Sequence, residues 1–548
     1  MTQLSEYLVG HWPLTADLLD HSPLHHATIA TDVYLGKFGP GIKADTAARF
    51  NGATSALTVA DHNALHPGTA DFSLTAWVHT DGTHADIVGD IIGKYDTATR
   101  KGYNLNILTS DGVTAAAQSN YRQLQFGVDD GRRETVWRDH GRPGNAVKIS
   151  ALTVSHGDLY AGTIEHSSEQ VGRLWRYDGG QEWVDLGNPV GCNGVISVAE
   201  FEGSLYAGTG RYKLMGSALG ETLNLKPGGI VYRITEDGAW IDCGHPGLQG
   251  STPEPMADGY ATGQADMASA LTVFHGHLYC SQIYRNGVFR YEGNKEWSQA
   301  GLLDQRIMSL TVYRGHLYSL NNGGQVCRLD KGDIWSNCGT PPGSLQTYSS
   351  VIHQGKLHVG TWPNGDVCRF EGGTEWVTIG RAGYEMEVMA GAQYNGKAYW
   401  GSLPMANVYR MECNSLALIA NLDQAFVPLR RVWSMATFDG RLFAGTLPSG
   451  HIWSFESGKV ASWDQTFPSG WRHVAAIKDG GVLRNYVDGK LVASSSRFHA
   501  AGMDLTNTQP LQIGFGAYEH FDGMLSDVRI YSRALNHDEV ASLALQHQ

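Results

Sequence analysis

Cationic and aromatic residues recur beside repeated apolar segments in the middle of the chain. Arginine binds carboxylates through paired hydrogen bonds, and aromatic faces stack on sugar rings. The whole chain has a net charge of −13, so a local concentration of cations stands out. We therefore predict a site for an anionic ligand. Its candidate residues are Lys148, His166, Arg211, Tyr212, Tyr284, Arg285, Arg306, Tyr348, Trp362, Tyr384, Glu385 and Arg431.

Half of these residues suit a β-elimination next to a carboxylate. A cation neutralises the carboxylate, which makes the neighbouring proton more acidic, and a base removes that proton. Tyr284, Tyr348 and His166 are the candidate bases, whereas Arg285, Arg306 and Arg431 are the candidate neutralising groups. The remaining candidates, Lys148, Arg211, Tyr212, Trp362, Tyr384 and Glu385, are assigned to substrate binding.

Other functions stay open. Sialidase-type hydrolysis uses arginines to hold the substrate carboxylate and a tyrosine paired with a glutamate as nucleophile, but the loops contain neither a FRIP-like segment nor a true Asp-box. Glu385 and Glu387 lie two residues apart, so they are expected to share one face of a strand without an evident partner. A non-catalytic glycan-binding or protein-interaction scaffold is a further alternative.

A repeated unit must position these residues. Seven copies share a turn glycine, and most of these glycines are 39 to 46 residues apart. The repeat predicts a seven-bladed β-propeller, with the candidate residues around a funnel on one face. The second unit carries two long insertions, residues 210–229 and 244–267, which are expected to wall one side of the funnel. The turn glycines are Gly157, Gly203, Gly276, Gly315, Gly355, Gly396 and Gly440.

The last unit lacks a well-matched fourth strand. The segment from Glu134 to Asp139, which contains Trp137, precedes the first unit and matches the fourth-strand pattern. We expect it to close the ring and remove a free sheet edge. Lys459 to Trp463 is the competing choice for that strand.

The flanks resemble a known family. LVGHWPL and DFSLTAWV before the repeat, and RNYVDGKLVAS and FDGMLSDVRIYSRAL after it, resemble the laminin-G-like, concanavalin A-type lectin/glucanase jelly roll. The predicted fold is all-β, with the seven-bladed propeller (132–459) inserted into a concanavalin A-like sandwich (1–131 and 460–548). In architecture alone, the combination is similar to propeller-type polysaccharide lyases and to sialidase-like proteins. A lyase acting on a uronate-containing glycan is the first hypothesis.

The resemblance also implies a structural calcium. In this family an aspartate of the closing strand often holds the ion, and Asp527 matches that position best, with Asp20 and Asp522 as further ligands. The alternative is that Asp527 pairs with Arg529.

Composition narrows the partners. The net negative charge argues against nucleic acid, and no apolar run is long enough to insert into a membrane. The expected partner is therefore an anionic glycan. The N-terminus lacks a signal-peptide pattern, so we expect a cytoplasmic protein, or a secreted one if a leader is missing from this sequence.

Overall fold

A computed structural model of the chain describes residues 4–37, 46–82, 88–110, 118–167, 169–212, 222–247, 267–283 and 285–546, with only the backbone of Arg285. The regular elements of the described residues are almost all β-strands, as predicted. One α-helix, α1 (His537–Leu545), and three short 3-10 turns, Ser5–Tyr7, Asn63–Leu65 and Ala500–Gly502, complete the elements. No described helix has the length and apolar character needed to cross a membrane.

Strands from both ends of the chain pair in two sheets, which we call the outer sheets. One sheet has the order β3-β4-β43-β6-β39-β40-β41, with β1 beside β43, and the other has the order β2-β5-β42-β7-β8-β9-β38. Their facing sides bury one apolar core that includes Trp12, Phe50 and Phe126. The strands are β1 (Leu8–Trp12), β2 (Thr28–Thr31), β3 (Tyr34–Gly36), β4 (Ala47–Asn51), β5 (Ala56–Val59), β6 (Phe72–Thr80), β7 (Gly89–Asp96), β8 (Lys101–Ser110), β9 (Asn120–Asp130), β38 (Lys459–Trp463), β39 (Gly470–Asp479), β40 (Val482–Val487), β41 (Lys490–Ser494), β42 (Leu511–Ile513) and β43 (Asp522–Tyr531).

The middle of the chain has a propeller-like arrangement. Each repeat unit begins with an inner strand, turns back at its glycine and continues outward. The strands are β10 (Arg138–Asp139); unit 1, β11 (Lys148–Ser155), β12 (Asp158–Ile164), β13 (Leu174–Gly179) and β14 (Glu182–Gly187); unit 2, β15 (Gly194–Phe201), β16 (Ser204–Gly210), β17 (Val231–Ile234) and β18 (Trp240–Asp242); unit 3, β19 (Ala268–Phe274), β20 (His277–Gln282), β21 (Arg285–Gly293) and β22 (Glu296–Gln299); unit 4, β23 (Ile307–Tyr313), β24 (His316–Asn321), β25 (Val326–Leu329) and β26 (Trp335–Asn337); unit 5, β27 (Gln346–His353), β28 (Lys356–Trp362), β29 (Asp366–Gly372) and β30 (Glu375–Arg381); unit 6, β31 (Glu387–Tyr394), β32 (Lys397–Leu403), β33 (Asn407–Glu412) and β34 (Ser415–Asn421); and unit 7, β35 (Arg431–Phe438), β36 (Arg441–Leu447) and β37 (Ile452–Phe455).

The sheets do not separate into seven. Among the described residues there are five four-stranded sheets, whereas units 1 and 2 share one eight-stranded sheet. They join because Ile164 at the end of β12 pairs with Gly194 at the start of β15. A glycine at that place lets the two backbones approach closely.

A repeated hydrogen bond ties units 1 to 5 each to the strands that precede it in the ring. The indole nitrogen of Trp297 in unit 3 donates to the carbonyl of Cys243 at 2.8 Å, and an equivalent bond occurs in units 1, 2, 4 and 5. These tryptophans therefore have a structural role. The other pairs are Trp183 with His140, Trp240 with Leu186, Trp335 with Ala300 and Trp376 with Cys338.

The segment before unit 1 completes the sheet of unit 7. Arg138 and Asp139 of β10 pair antiparallel with β37, and Glu134 bridges Ser457. The competing strand, β38, instead pairs with β9 of the outer sheet. The predicted closing strand is therefore confirmed.

The outer sheets lie on one side of the ring. We call the end of the propeller where the inner strands begin the front face, and the end with the turn glycines the back face. On the back face, the Gly355 amide donates to the Tyr518 carbonyl at 2.8 Å, and the Gly396 amide donates to the Tyr518 hydroxyl at 2.6 Å. The front face therefore points away from the outer sheets.

A segment leading into β9 reaches into the central channel from the back face. The side-chain amide of Asn120 forms two hydrogen bonds with the backbone of Thr437, at 2.6 and 2.9 Å. Gln118 makes the same pair of bonds with Val273, at 3.2 and 3.0 Å. Because Thr437 and Val273 lie on inner strands that are not neighbours, the segment between these contacts crosses the channel.

We expect Gly396→Ala to destabilise the protein more than Gly203→Ala. Both glycines have positive φ, at 80° and 68°, which costs an alanine about 1–2 kcal/mol. At Gly396 the added carbon would also meet the Tyr95 ring at 2.4 Å, and overpacking of this kind adds about 1–3 kcal/mol, whereas at Gly203 it meets nothing within 4 Å. Urea unfolding midpoints test this difference, and equal losses would contradict the packed interface.

Candidate functional site

Two positions at the front-face end of each inner strand lie nine and seven residues before the turn glycine. The second of them coincides with a β-bulge that recurs in the strand pairing of the units, and a bulge redirects side chains. The outer position is Lys148, Gly194, Met267, Arg306, Gln346, Glu387 and Arg431 in units 1 to 7, and the inner one is Ser150, Ile196, Ser269, Met308, Tyr348, Met389 and Trp433.

Lys148 lies at the centre of the resulting group. Its side chain is 1% exposed, and its Nζ is 3.1 Å from the ring centroid of Trp433 and 3.8 Å from that of Tyr212. Aromatic faces attract cations, so both rings favour the charged lysine. We call Lys148, Tyr212, Tyr348, Glu387, Arg431 and Trp433 the mouth cluster.

Tyr212 is held by its backbone. Its amide donates to the side-chain oxygen of Asn193 at 2.7 Å, and its carbonyl accepts from the Asn193 side-chain nitrogen at 2.8 Å. The ring meets Trp433 edge to face, with centroids 6.1 Å apart. Asn193 is therefore a positioning residue for the aromatic wall around Lys148.

The charges of the mouth cluster are strongly perturbed. Burial and the nearby Arg431 guanidinium hold the pKa of Lys148 well below its usual value, although Glu387 opposes this shift. Burial also raises the pKa of the Glu387 carboxyl, against the influence of the neighbouring cations. Buried groups with shifted pKa values are typical of functional sites.

Tyr348 is buried beside Glu387. Its hydroxyl donates to the side-chain oxygen of Gln346. Burial and the Glu387 carboxylate hold the pKa of Tyr348 well above its usual value, against the weaker effects of Arg431 and Arg306. Its phenol therefore stays protonated at neutral pH in the unliganded protein.

The structure brings together four of the predicted residues: Lys148, Tyr212, Tyr348 and Arg431. Arg306 acts electrostatically on Tyr348, and Trp362 packs against the same apolar cluster as Tyr348. His166 and Arg211 follow β12 and β16 on the front face, both half-buried. Tyr284, the Arg285 side chain and most of the two long insertions lie outside the described residues.

The two remaining predicted binding residues, Glu385 and Tyr384, also lie outside the mouth cluster. The Glu385 carboxylate is used locally, because it accepts from the Met405 amide at 3.1 Å and from the Asn407 side chain at 2.6 Å. Tyr384 is fully exposed. The expected sharing of one strand face by Glu385 and Glu387 is wrong, because Glu385 precedes β31 in a turn closed on Ala382.

The sequence analysis missed Trp433 and Gln346. Both belong to the two positions already described, so aligning the seven units on their turn glycines identifies them. Glu387 was considered only as a partner of Glu385. Its interactions with Tyr348 of unit 5 and Lys148 of unit 1 come from other units, so no pattern within one unit reveals them.

The residues predicted to hold calcium have other partners. Asp20 accepts from the amides of His11 and His26, both at 2.8 Å. Asp527 accepts from the Arg529 guanidinium at 2.7 Å and lies 2.8 Å from the His11 ring nitrogen, while Asp522 pairs with Arg49. These contacts favour the pairing of Asp527 with Arg529, and within the described ranges no group of three potential ligands is placed for a metal. The calcium site stays a prediction.

A comparison with protein families supports a concanavalin A-like fold for the C-terminal strands of the outer sheets. The model of the concanavalin A-like lectin/glucanases superfamily matches residues 433–541. This stretch begins in β35 and includes all the C-terminal outer strands. No curated protein matches the chain.

Solved structures similar to the chain are propellers of varied function. A catalytically inactive virginiamycin B lyase from Staphylococcus aureus, crystallised with quinupristin, is 11% identical, with 59% of this chain and 99% of that chain covered and a TM-score of 0.42. A streptogramin B lyase is 10% identical, with 59% and 97% covered and a TM-score of 0.42. The WD40 propeller domain of Doa1 is 12% identical, with 59% and 98% covered and a TM-score of 0.40. Scores this low carry no argument about activity.

We expect Lys148→Met to raise the melting temperature at pH 7. The folded protein holds the pKa of Lys148 below its unfolded value, so the charged lysine costs stability below the folded pKa. That cost shrinks as pH rises towards the unfolded value of about 10.4. Melting curves of both proteins at pH 7 and near pH 10 test this, and a variant that melts lower at pH 7 would show that the aromatic faces and Glu387 outweigh burial.

Proposed function

We propose that the protein binds an acidic carbohydrate at the mouth cluster. The carrying observation is that Lys148 and Arg431 meet Trp433, Tyr212 and Tyr348 at the front end of the channel. Cations recognise a carboxylate, and aromatic faces stack on sugar rings. The concanavalin A-like match of the outer sheets suggests carbohydrate binding as well.

The proposal includes an architecture. We propose that the eight-stranded sheet counts as two blades, which gives seven in all. These blades occupy about residues 132–459 and interrupt a jelly roll formed by 1–131 and 460–548. The shared sheets of the two chain ends and the closure by β10 support this division.

The charge balance of the mouth cluster favours an anion. Arg431 and Lys148 face a single carboxyl group, Glu387, whose pKa burial raises. Arg306 adds a further cation near Tyr348. A ligand carboxylate would relieve the repulsion between Lys148 and Arg431. The free energy that the protein loses by burying these incompletely paired charges would then be recovered when the ligand binds.

We expect polygalacturonate, a uronate polymer, to bind more tightly than a neutral galactan. Arg431→Ala should weaken uronate binding about tenfold or more, because a hydrogen bond to a charged group contributes about 1.5–3 kcal/mol. Lys148→Met should weaken it too, although that variant is expected to be more stable. Isothermal titration calorimetry at two salt concentrations measures both effects.

The matched control is Arg484→Ala in the outer sheets. Arg484 also pairs with a carboxylate, that of Asp479, but it lies in the outer sheets and not in the mouth cluster. It should leave uronate binding unchanged. Equal affinity for the charged and neutral polymers, or equal losses in both arginine variants, would contradict the proposed site.

Catalysis is the second candidate function, and one contact favours it. Tyr348 lies beside Glu387 with Arg431 and Arg306 nearby, and its protonated phenol can supply the proton that the leaving oxygen takes. In an elimination, a base takes the proton next to the carboxylate, the electron pair forms a carbon–carbon double bond, and the leaving oxygen takes a proton. Lys148 is a further candidate base, because its lowered pKa favours the neutral amine.

If the protein is a lyase, we expect Tyr348→Phe to abolish product formation while leaving uronate affinity within about twofold. The substitution removes only the hydroxyl that donates or receives a proton. Far-ultraviolet absorbance of the unsaturated product follows elimination, and new reducing ends without that absorbance indicate hydrolysis. No product with the wild-type protein would leave binding as the function.

A further inference from the structure

The front face carries an exposed apolar surface next to the mouth cluster. Tyr384 and Phe426 are fully exposed, and Met386 and Met405 are 40% and 46% exposed. Together with Arg430 we call these residues the rim platform. Large apolar side chains at full exposure, grouped on one rim, indicate a binding surface.

Backbone contacts join the members of the rim platform. The Met386 amide donates to the Leu403 carbonyl at 2.8 Å, next to the loop that carries Met405. Met405 in turn pairs with Arg430, whose guanidinium donates to the Met405 sulfur at 3.2 Å. These bonds therefore join the front-face loops of unit 6 to the start of unit 7.

A buried carboxylate fixes each of the two loops that expose an aromatic ring. Glu385, 2% exposed, holds the loop of Tyr384 through Met405 and Asn407. Asp423 is equally buried and accepts from the amides of Ala425 and Ser449, both at 2.9 Å. Burying a carboxylate costs free energy. The inner strands do not need these two carboxylates in order to fold, so we assign them to fixing the loops.

The rim platform is continuous with the mouth cluster. Arg430 directly precedes Arg431, and Met386 directly precedes Glu387. The Arg430 guanidinium also donates to the Asp423 carbonyl at 2.9 Å, which ties it to the loop of Phe426. A ligand long enough to leave the mouth on this side meets aromatic rings and a cation in alternation.

We propose that the rim platform binds the sugar residues of an extended acidic oligosaccharide that flank the residue held at the mouth. This rests on the proposed function and deepens it, because it makes the ligand a polymer rather than a single sugar. Tyr384 and Phe426 stack on sugar rings, and Arg430 pairs with a carboxylate between them.

Oligogalacturonates of increasing length test the proposal. Wild-type affinity should rise with length, because longer chains reach the platform. Tyr384→Ala and Phe426→Ala should each weaken binding of the long oligomers about tenfold and leave galacturonate monosaccharide binding unchanged. Tyr34→Ala is the matched control, since Tyr34 is 67% exposed on β3 and should have no effect.

Four results would overturn the proposal. Affinity could be independent of length, or the two variants could bind long oligomers like the wild type, while the monosaccharide still binds and the proposed function stands. Loss of all uronate binding in the wild type would instead remove the proposed function as well. Binding to anionic phospholipid vesicles that disappears in Tyr384→Ala, with oligomer binding intact, would assign the platform to a membrane surface.

Discussion

Closure of the ring is the constraint on which the other features depend. The chain leaves the outer sheets after β9, adds β10 to the last unit and then builds the seven units in order. It returns as β38, which pairs with β9 over five residues, from Lys459 opposite Val128 to Trp463 opposite Leu124. The two ends of the repeat are thus joined both inside the ring and in the outer sheet. Each pairing brings the same two parts of the chain together, so each favours the other.

Much of this organisation was predictable because its signals are local. The turn glycines predict the inner hairpins, and the segment around Trp137 predicts the closing strand because it shares the fourth-strand pattern. The fusion of units 1 and 2 was not predictable, because it depends on one contact between Ile164 and Gly194. The sequence patterns of units 1 and 2 would be the same whether or not that pairing formed.

The candidate site divides in the same way. Lys148, Tyr348 and Arg431 could be identified because they lie at the start of inner strands in different units. Glu385 could not be distinguished from Glu387, since the difference is a turn that the Glu385 amide closes on the Ala382 carbonyl, two residues before β31. The position of Asn193 behind Tyr212 also escapes a pattern search, because a reciprocal side-chain bond to backbone leaves no periodic signature.

The mouth cluster illustrates how a fold tolerates unfavourable groups. Lys148 is buried close to Arg431, and both burial and that guanidinium disfavour its charge, yet the inner strands around it bury an apolar cluster. Natural proteins commonly accept such local costs at binding sites and recover them elsewhere. Here the tryptophan bonds between successive units supply a repeated and independent source of rigidity.

The segment from Gln118 to Asn120 has a consequence for how a ligand reaches the channel of the ring. Because the segment spans the channel at the back face, a ligand can enter only from the front face. A linear polymer bound at the mouth cluster, as proposed, would therefore not pass through the ring. It would lie tangentially over the front, so that a sugar in the middle of a chain would be captured as easily as one at its end.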